Sequence, residues 1–264
     1  MDADLVGRFE AGLVAAWARQ GGWVPVAAWH RLGGLVVALS GVPDQSQQVA
    51  LVESEPDDPA AAVLAAEVLF TRRGWTPGFD LLAGAHPRLE AALTGRGYRV
   101  VASRPGLVRR LDPLASVGTA PSVDPGLAAV VVRPARPDDL TAVRALQAAS
   151  FDLTPAVADG MLAPGILTTP GAALLVAEEG GAGGTVIGSV LVHLDQPTSG
   201  IVGLAVAPVA RRRGVGTALT HDALDRAARA GADLVWLQST PMAEPLYRSA
   251  GFVELGRCEV WLLS

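Results

Sequence analysis

Residues 202–219, VGLAVAPVARRRGVGTAL, decide how the chain is interpreted. The apolar segment that ends at Val206 predicts a strand, and the apolar pattern after Val215 predicts a helix that begins directly after an Arg-Gly turn. The glycines of this turn, Gly214 and Gly216, allow a bulky anion to approach the backbone, and the free N–H groups of the helix start face the same point. The segment therefore predicts an anion-binding site between a strand and a helix.

Two other interpretations of the turn compete with this one. An arginine-rich, solvated loop before an ordinary helix has the same composition, and the turn alone leaves that alternative open. A dinucleotide-binding fingerprint would need a third glycine at position 219, which is Leu219. The spacing therefore argues against a dinucleotide site.

A second segment, AEPLYRSAGF (243–252), places Tyr247 on a short helix ahead of Gly251 and Phe252. A phenol, whose ordinary pKa is about 10, can protonate a thiolate that leaves during acyl transfer. A tyrosine near a helix end can also be an ordinary packing residue. Taken by itself, Tyr247 is consistent with both roles.

Together, residues 202–219 and 243–252 resemble the two hallmark segments of the GNAT superfamily of N-acetyltransferases, in the same order. The segment VVVRPARPDDLTAVRAL (130–146) resembles the opening strand and helix of that fold. The resemblance covers about residues 129–264. It implies acetyl-CoA as the acyl donor and direct attack of a primary amine on the thioester, without a covalent enzyme intermediate.

The resemblance also implies roles for individual residues. Backbone groups of Leu204, Ala205 and Val206 would bind the pantetheine arm, and Tyr247 would be the general acid. Ser239 and Thr240 stand where the family often has an asparagine, and their hydroxyls are expected to bind the coenzyme arm. The expected pyrophosphate-binding residues are Arg211, Arg212, Arg213, Gly214, Val215, Gly216 and Thr217.

The sequence departs from the family at the position of the general base. Many members carry an acid near the start of the strand that precedes the turn, where this chain has Ile201-Val202-Gly203. His193 and Asp195, at the end of the preceding strand, are the candidate bases, although a lone histidine or aspartate at a strand end is more often simply solvated. Because the turn is intact and the usual base is missing, a non-catalytic acyl-CoA-binding regulatory module is the alternative function.

The N-terminal half shows a weaker version of the same pattern. Residues 89–100, LEAALTGRGYRV, run parallel to residues 243–254, AEPLYRSAGFVE, with Leu93 at the position of Tyr247 and no RxxGxG turn. The sequence therefore predicts an α/β (α+β) fold of tandem GNAT-like domains, each a mixed, mostly antiparallel sheet flanked by helices. We expect a degenerate domain at 1–115, a linker at 116–128 and a catalytic domain at 129–264.

Composition excludes several other classes of function. All 21 basic residues of the 264-residue chain are arginines, so neither a Schiff-base lysine nor the lysine of a phosphate-binding P-loop is available. The single cysteine and four scattered histidines predict no metal site.

The charge and hydropathy patterns bear on the cellular location of the protein and on the class of its partner. The net charge of -5 argues against nucleic acid or an anionic membrane as partner. No apolar run approaches a membrane span, and the acidic first residues do not resemble a signal peptide. We expect a cytoplasmic monomer or homodimer that acts on a small-molecule or peptide amine.

Overall fold

The computed structural model describes residues 2–24, 28–112, 130–181 and 183–263, so the predicted linker at 116–128 lies outside the described residues. Contacts divide the chain into two units. The first unit comprises Met1–Leu107, Gln238–Met242 and Glu254–Ser264, and the second comprises Val108–Leu237 and Ala243–Val253. Neither unit is one continuous segment, because Gln238–Met242 and Glu254–Ser264 belong to the first unit.

The regular elements alternate along the described chain. In order they are α1 Ala3–Gln20, β1 Ala28–Leu32, β2 Leu35–Leu39, β3 Gln48–Val52, α2 Pro59–Arg72, β4 Gly78–Leu82, α3 Pro87–Gly95, β5 Tyr98–Arg110, β6 Val130–Pro134, α4 Leu140–Phe151, α5 Pro155–Met161, β7 Ala172–Glu179, β8 Thr185–His193, β9 Thr198–Val206, α6 Val215–Arg229, β10 Leu234–Gln238, α7 Glu244–Ser249 and β11 Val253–Leu263.

The first unit is built on strands in the order β1-β2-β3-β4-β11-β5. β1, β2 and β3 pair antiparallel, whereas β3 and β4 pair parallel and are joined through α2. The final strand, β11, pairs antiparallel with β4 from Cys258 opposite Leu82 to Leu262 opposite Gly78. Phe70, Phe79 and Tyr98 are fully buried in the core of this unit.

The second unit is built on strands in the order β10-β9-β8-β7-β6, antiparallel except for the parallel pair β9–β10 that α6 joins. A glycine in β8 lets α6 approach this sheet closely. A Cβ at Gly188 would lie 2.9 Å from Leu219 Cδ1 and 3.1 Å from Val215 Cγ1. The start of α6 is therefore packed directly on the strands that precede it.

β9 and β10 pair over only part of their length. Their parallel register runs from Thr198 opposite Leu234 to Gly200 opposite Trp236, whereas β9 continues to Val206. In the described strands, the edge of β9 that faces β10 has no partner beyond Gly200. This splayed edge leads directly toward the Arg-Gly turn.

The predicted fold class, a mixed and mostly antiparallel sheet flanked by helices, is confirmed. β1 begins at Ala28, α4 begins at Leu140 after a 3-10 turn at Pro137–Asp139, and β11 begins at Val253. α1 was not expected at all, because its alanines and glycines obscure the buried stripe formed by Val6, Phe9 and Leu13.

Candidate functional site

In the Arg-Gly turn the sign of φ alternates, because Arg212 and Gly214 have positive φ whereas Arg213 between them does not. After β9, a short 3-10 turn at Pro208–Ala210 leads to Arg212, whose φ is 58°, and Gly214, whose φ is 85°. A left-handed conformation costs a non-glycine residue about 1–2 kcal/mol. Such alternation turns successive N–H groups toward one concave point, which is the geometry of an anion-binding nest.

α6 begins directly after this nest, and its first amides lack a capping side chain. Gly214 occupies the N-cap position, no side chain caps the helix, and its first turn contains no acidic residue. The first helical hydrogen bond is donated by Ala218 N–H to Gly214, so the amides of Val215, Gly216 and Thr217 have no acceptor within the helix. The positive end of the helix dipole is therefore available to an anion.

The three arginines of the turn surround this helix start. Arg211 and Arg212 are exposed and Arg213 is half-buried. Arg211 donates a hydrogen bond of 3.0 Å from Nε to the carbonyl oxygen of Val206, the last residue of β9. The first arginine is thus held at the end of the splayed strand.

A β-bulge interrupts β9 at Gly203. Ser189 of β8 lies opposite Ala205, and Leu191 lies opposite Val202, so Gly203 and Leu204 together oppose the single residue between them on β8. Gly203 has a φ of 61°, as expected for a bulge with glycine in the left-handed conformation. The bulge lies at the start of the partnerless part of the β9 edge.

Beyond the bulge, the backbone groups of β9 alternate between its two edges. Ala207 donates its N–H to Ile187 in β8, whereas the Val206 carbonyl accepts the side chain of Arg211. By this alternation the N–H groups of Leu204 and Val206 point away from β8, along the splayed edge. Leu204, Ala205 and Val206, the residues predicted for the pantetheine arm, therefore present main-chain groups where the sheet is open.

A buried glutamine, Gln147, holds the bulge from α4. Its Nε2 donates to the Gly203 carbonyl oxygen at 2.5 Å and to Ser189 Oγ at 3.0 Å. The sequence analysis did not identify this residue. The structure buries Leu140, Val143 and Gln147 of α4, and a polar residue at the i+7 position of this stripe was the available signal.

Tyr247 lies in α7 and is buried, with its ring 5.7 Å from that of Phe252 in an edge-to-face contact. The preceding residue, Leu246, faces the start of α6, since a Cβ at Gly216 would lie 3.3 Å from Leu246 Cδ2. The same Cβ would lie 3.7 Å from the side chain of Leu204. The structure therefore brings α7, the turn and the open end of β9 together.

The pKa of the Tyr247 phenol is raised above its ordinary value by burial. The hydroxyl therefore stays protonated to well above neutral pH, and a general acid acts from its protonated state.

The two candidate bases lie at the other end of β9. His193 is buried and pairs with Gly200, and Asp195 follows it in the connection to β9. Four residues of strand separate Gly200 from Leu204, which corresponds to about 13 Å. The structure does not bring His193 or Asp195 to the end of β9 where Tyr247 and the turn meet, and their role as a base stays a prediction from the sequence.

Ser239 and Thr240 follow β10 and belong to the first unit. Ser239 is buried, donates its N–H to the carbonyl of Pro105 at 2.9 Å and donates its hydroxyl to the carbonyl of Thr240 at 2.8 Å. The Ser239 hydroxyl therefore serves the local backbone. The role of Ser239 and Thr240 in binding the coenzyme arm stays a prediction.

No group of three or more His, Cys, Asp or Glu side chains is placed to hold a metal ion among the residues that the structure describes. None of the helices in the described part of the chain is both long enough and apolar enough to cross a membrane.

The β9-α6-β10 crossover is parallel and has an open strand edge and an uncapped helix start, which together form a candidate anion site where the two strands separate. The family model described as Acetyltransferase (GNAT) family matches residues 142–252, which include most of α4 and every later element of this site up to α7. Residues 142–252 therefore resemble an acetyltransferase domain of the GNAT family.

Solved structures with the same fold extend over most of the chain. A GCN5-related N-acetyltransferase from Kribbella flavida is 18% identical, with a TM-score of 0.73 over 97% of this chain and 95% of that one. A GCN5-related N-acetyltransferase from Sphaerobacter thermophilus is 18% identical, with a TM-score of 0.60 over 87% and 80%.

A tandem GNAT protein from the clavulanic acid biosynthesis pathway is also 18% identical, with a TM-score of 0.61 over 90% and 83%. At 18% identity, these similarities show a shared fold only. No functionally curated protein matches the sequence.

Proposed function

We propose that the protein is an acetyl-CoA-dependent N-acetyltransferase that acetylates a primary amine of a small molecule or peptide. The observation that carries the proposal is the start of α6, where an Arg-Gly nest and three amides without helical acceptors converge at the end of an open strand. A coenzyme with an anionic pyrophosphate and a long amide-bearing arm matches both parts of this arrangement.

The pyrophosphate would bind at the turn. The amides of Val215, Gly216 and Thr217 donate toward it, and the guanidinium groups of the turn supply positive charge at the rim. Charge-assisted hydrogen bonds contribute about 1.5–3 kcal/mol each, so a few of them provide an anchor of useful strength. The bond from Arg211 to Val206 keeps the side chain in place before the ligand arrives.

The first unit offers no comparable anion site in its corresponding crossover. The loop between β3 and α2 carries Glu53, Glu55, Asp57 and Asp58 in place of the arginines. Asp58 caps α2 by accepting the Ala61 N–H at 3.0 Å. Because negative charge already occupies this helix start, we infer that the coenzyme binds only in the second unit.

The thioester would lie along the open edge of β9. The Leu204 N–H donates to the thioester carbonyl oxygen, and main-chain groups of Ala205 and Val206 hold the pantetheine arm. A fixed N–H aimed at this oxygen stabilises the negative charge that develops there when the amine attacks. Alignment and polarisation supply the rate enhancement without a covalent intermediate.

Tyr247 would complete the reaction at the sulfur. The amine nitrogen forms a bond to the carbonyl carbon, the carbon–sulfur bond breaks, and the leaving thiolate takes the phenol proton. The tyrosinate is then reprotonated from solvent, and the attacking amine gives its own proton to a base or to water. His193 and Asp195 are the residues that the sequence predicts for this last transfer.

Calorimetric titration with acetyl-CoA tests the proposal. The parent protein is compared with an Arg211→Ala, Gly216→Asp double variant, which removes a cation and places an anion at the helix start. Arg229→Ala is the matched control, because it removes an arginine from the same helix at its other end, about 20 Å from Gly216.

Binding that the double variant loses and Arg229→Ala retains supports the site. An amine-library turnover assay then tests for transfer. No binding by the parent overturns the proposal, and binding without turnover on any amine favours the regulatory-module alternative.

A further inference from the structure

We infer that Gln147 is a positioning residue that aims the Leu204 N–H at the thioester oxygen by holding the preceding peptide group. This inference rests on the proposed function, because it concerns the donor that the proposal assigns to the thioester. It adds a residue on α4 to a site otherwise formed by β9, the turn and α7.

The argument begins with the peptide group between Gly203 and Leu204. A trans peptide is planar, so its C=O and its N–H point in opposite directions. The Gly203 carbonyl is drawn toward α4 by the hydrogen bond of 2.5 Å from Gln147. Fixing this carbonyl therefore also fixes the direction of the Leu204 N–H, which points away from α4.

This peptide group needs a tether from outside the sheet. A bulge leaves its extra residue out of the strand ladder, and Gly203 has the widest choice of backbone conformations of any residue. Without the tether, the 203–204 peptide can rotate while the flanking pairs, Ser189 with Ala205 and Leu191 with Val202, stay in place. The Leu204 N–H would then still be present but would no longer point at the thioester oxygen.

Gln147 is suited to act as that tether. Its side-chain amide has two N–H donors, and both are used, one on Gly203 and one on Ser189. The residue is 7% exposed and lies in the buried stripe of α4 with Val143, where an apolar side chain would pack without the cost of burying an amide. Ser189 is fully buried and accepts the second N–H, so both donors of the buried amide are satisfied.

The side chain of Gln147 also fills the space next to Gly203. A Cβ at this position would lie 3.3 Å from Gln147 Oε1 and 3.6 Å from its Nε2. The bulge and the glutamine are therefore fitted to each other, and a side chain at 203 would disturb the contact as well as the left-handed backbone.

Amide NMR spectra recorded during titration with acetyl-CoA test the inference without an identified acceptor. In the parent, the Gly216 amide should shift because it faces the pyrophosphate, and the Leu204 amide should shift because it donates to the thioester. In Gln147→Leu, which keeps the volume and removes both donors, the Gly216 shift should persist and the Leu204 shift should be lost. Ser189→Ala, which leaves the bond to Gly203, is the matched control and should keep both shifts.

The outcomes separate the inference from the proposed function. A parent in which neither amide shifts overturns the proposed function. A folded Gln147→Leu protein in which Leu204 shifts as in the parent overturns the role of Gln147 alone. Once an acceptor amine is found, Gln147→Leu should lower kcat by about tenfold or more while the KM for acetyl-CoA changes little. The reason is that a poorly oriented Leu204 N–H stabilises the transition state less without weakening coenzyme binding.

Gln147→Glu covers the case in which the leucine variant does not fold. A buried carboxylic acid has a raised pKa and, when protonated, can donate one hydrogen bond to the Gly203 carbonyl. The Leu204 shift should therefore be present at low pH and disappear as the acid ionises, while the Gly216 shift persists throughout. A Leu204 shift that does not depend on pH in this variant contradicts the inference.

Discussion

Arg211 and Val206 are joined by a hydrogen bond of 3.0 Å between the guanidinium Nε and the main-chain carbonyl oxygen. Val206 ends β9 and Arg211 begins the turn, so this bond closes the short connection between the strand and the anion site. A lysine at 211 would keep the charge but has no planar fork that can bond a carbonyl and a phosphate at fixed angles. The bond therefore predicts that charge alone is insufficient at this position.

We predict that Arg211→Lys weakens acetyl-CoA binding by up to about tenfold and that Arg211→Ala weakens it by about 10- to 100-fold. Loss of one charge-assisted hydrogen bond of about 1.5–3 kcal/mol corresponds to this range. The measurement is the calorimetric Kd at two salt concentrations, because the charge that alanine removes is partly screened by salt. Equal affinities for the arginine and lysine proteins would show that the bond to Val206 has no part in binding.

Tyr247→Phe should lower kcat by about 10² while the Kd for acetyl-CoA stays within a small factor of the parent value. The ring remains and continues to pack on Phe252, so the protein should fold normally. Because burial raises the pKa of the phenol, the loss of activity that accompanies its ionisation should begin only above the ordinary tyrosine pKa of about 10. A pH–rate profile of the parent measures this limit.

An unchanged kcat in the phenylalanine variant would remove Tyr247 from the mechanism. A fall in kcat accompanied by an equal loss of coenzyme affinity would instead indicate a binding role for the hydroxyl.

The sequence predicted the strand–turn–helix unit because two glycines and three arginines in fixed order have few structural interpretations. It could not predict the bulge at Gly203, which depends on the register between β8 and β9 and therefore on residues distant in sequence. It missed Gln147 for the same reason: whether a polar residue on a helix is buried depends on where the helix packs. The last strand shows a similar limit, since pairing of β11 with β4 joins residues from opposite ends of the chain.

The buried pair of Glu10 and His86 predicts a pH-dependent stability of the first unit. His86 Nε2 lies 2.8 Å from Glu10 Oε1, and both side chains are more than nine-tenths buried. Burial alone would lower the pKa of His86, but the hydrogen bond and charge of Glu10, with the charges of Glu55 and Glu90, outweigh it and raise the pKa. The charged pair therefore stabilises the folded state fully below the unfolded pKa of 6.5, and this contribution is lost as pH rises through the folded pKa.

Denaturant unfolding of the parent should accordingly show a decrease in stability from about pH 6.5 upward. His86→Gln should be less stable at low pH and should show a flatter profile in this range. Burial also raises the pKa of Asp80, although Arg104 and Gln238 oppose this effect. Ionisation of Asp80 should therefore lower the free energy of unfolding as pH rises above about 3.8, a more acidic range than that of His86. A profile of His86→Gln that matches the parent above pH 6.5 would contradict the assignment.

The contact between Gly106 and Cys258 predicts an energetic coupling between β5 and the final strand. A Cβ at Gly106 would lie 2.9 Å from the Cys258 sulfur and 3.3 Å from Leu82 Cδ2 and Phe9 Cζ. Because Cys258 is fully buried and its neighbours are core side chains, Gly106→Ala should cost about 1–3 kcal/mol of stability through overpacking.

The double variant Gly106→Ala, Cys258→Ala tests whether the sulfur causes that cost. Removing it opens the space that the new methyl group needs, so alanine at 106 should cost less in the Cys258→Ala background than in the parent. Gly95→Ala is the control, because nothing lies within 4 Å of a Cβ at the end of α3. Stability is measured by denaturant unfolding, and additive effects of the two substitutions would show that Cys258 does not press against Gly106.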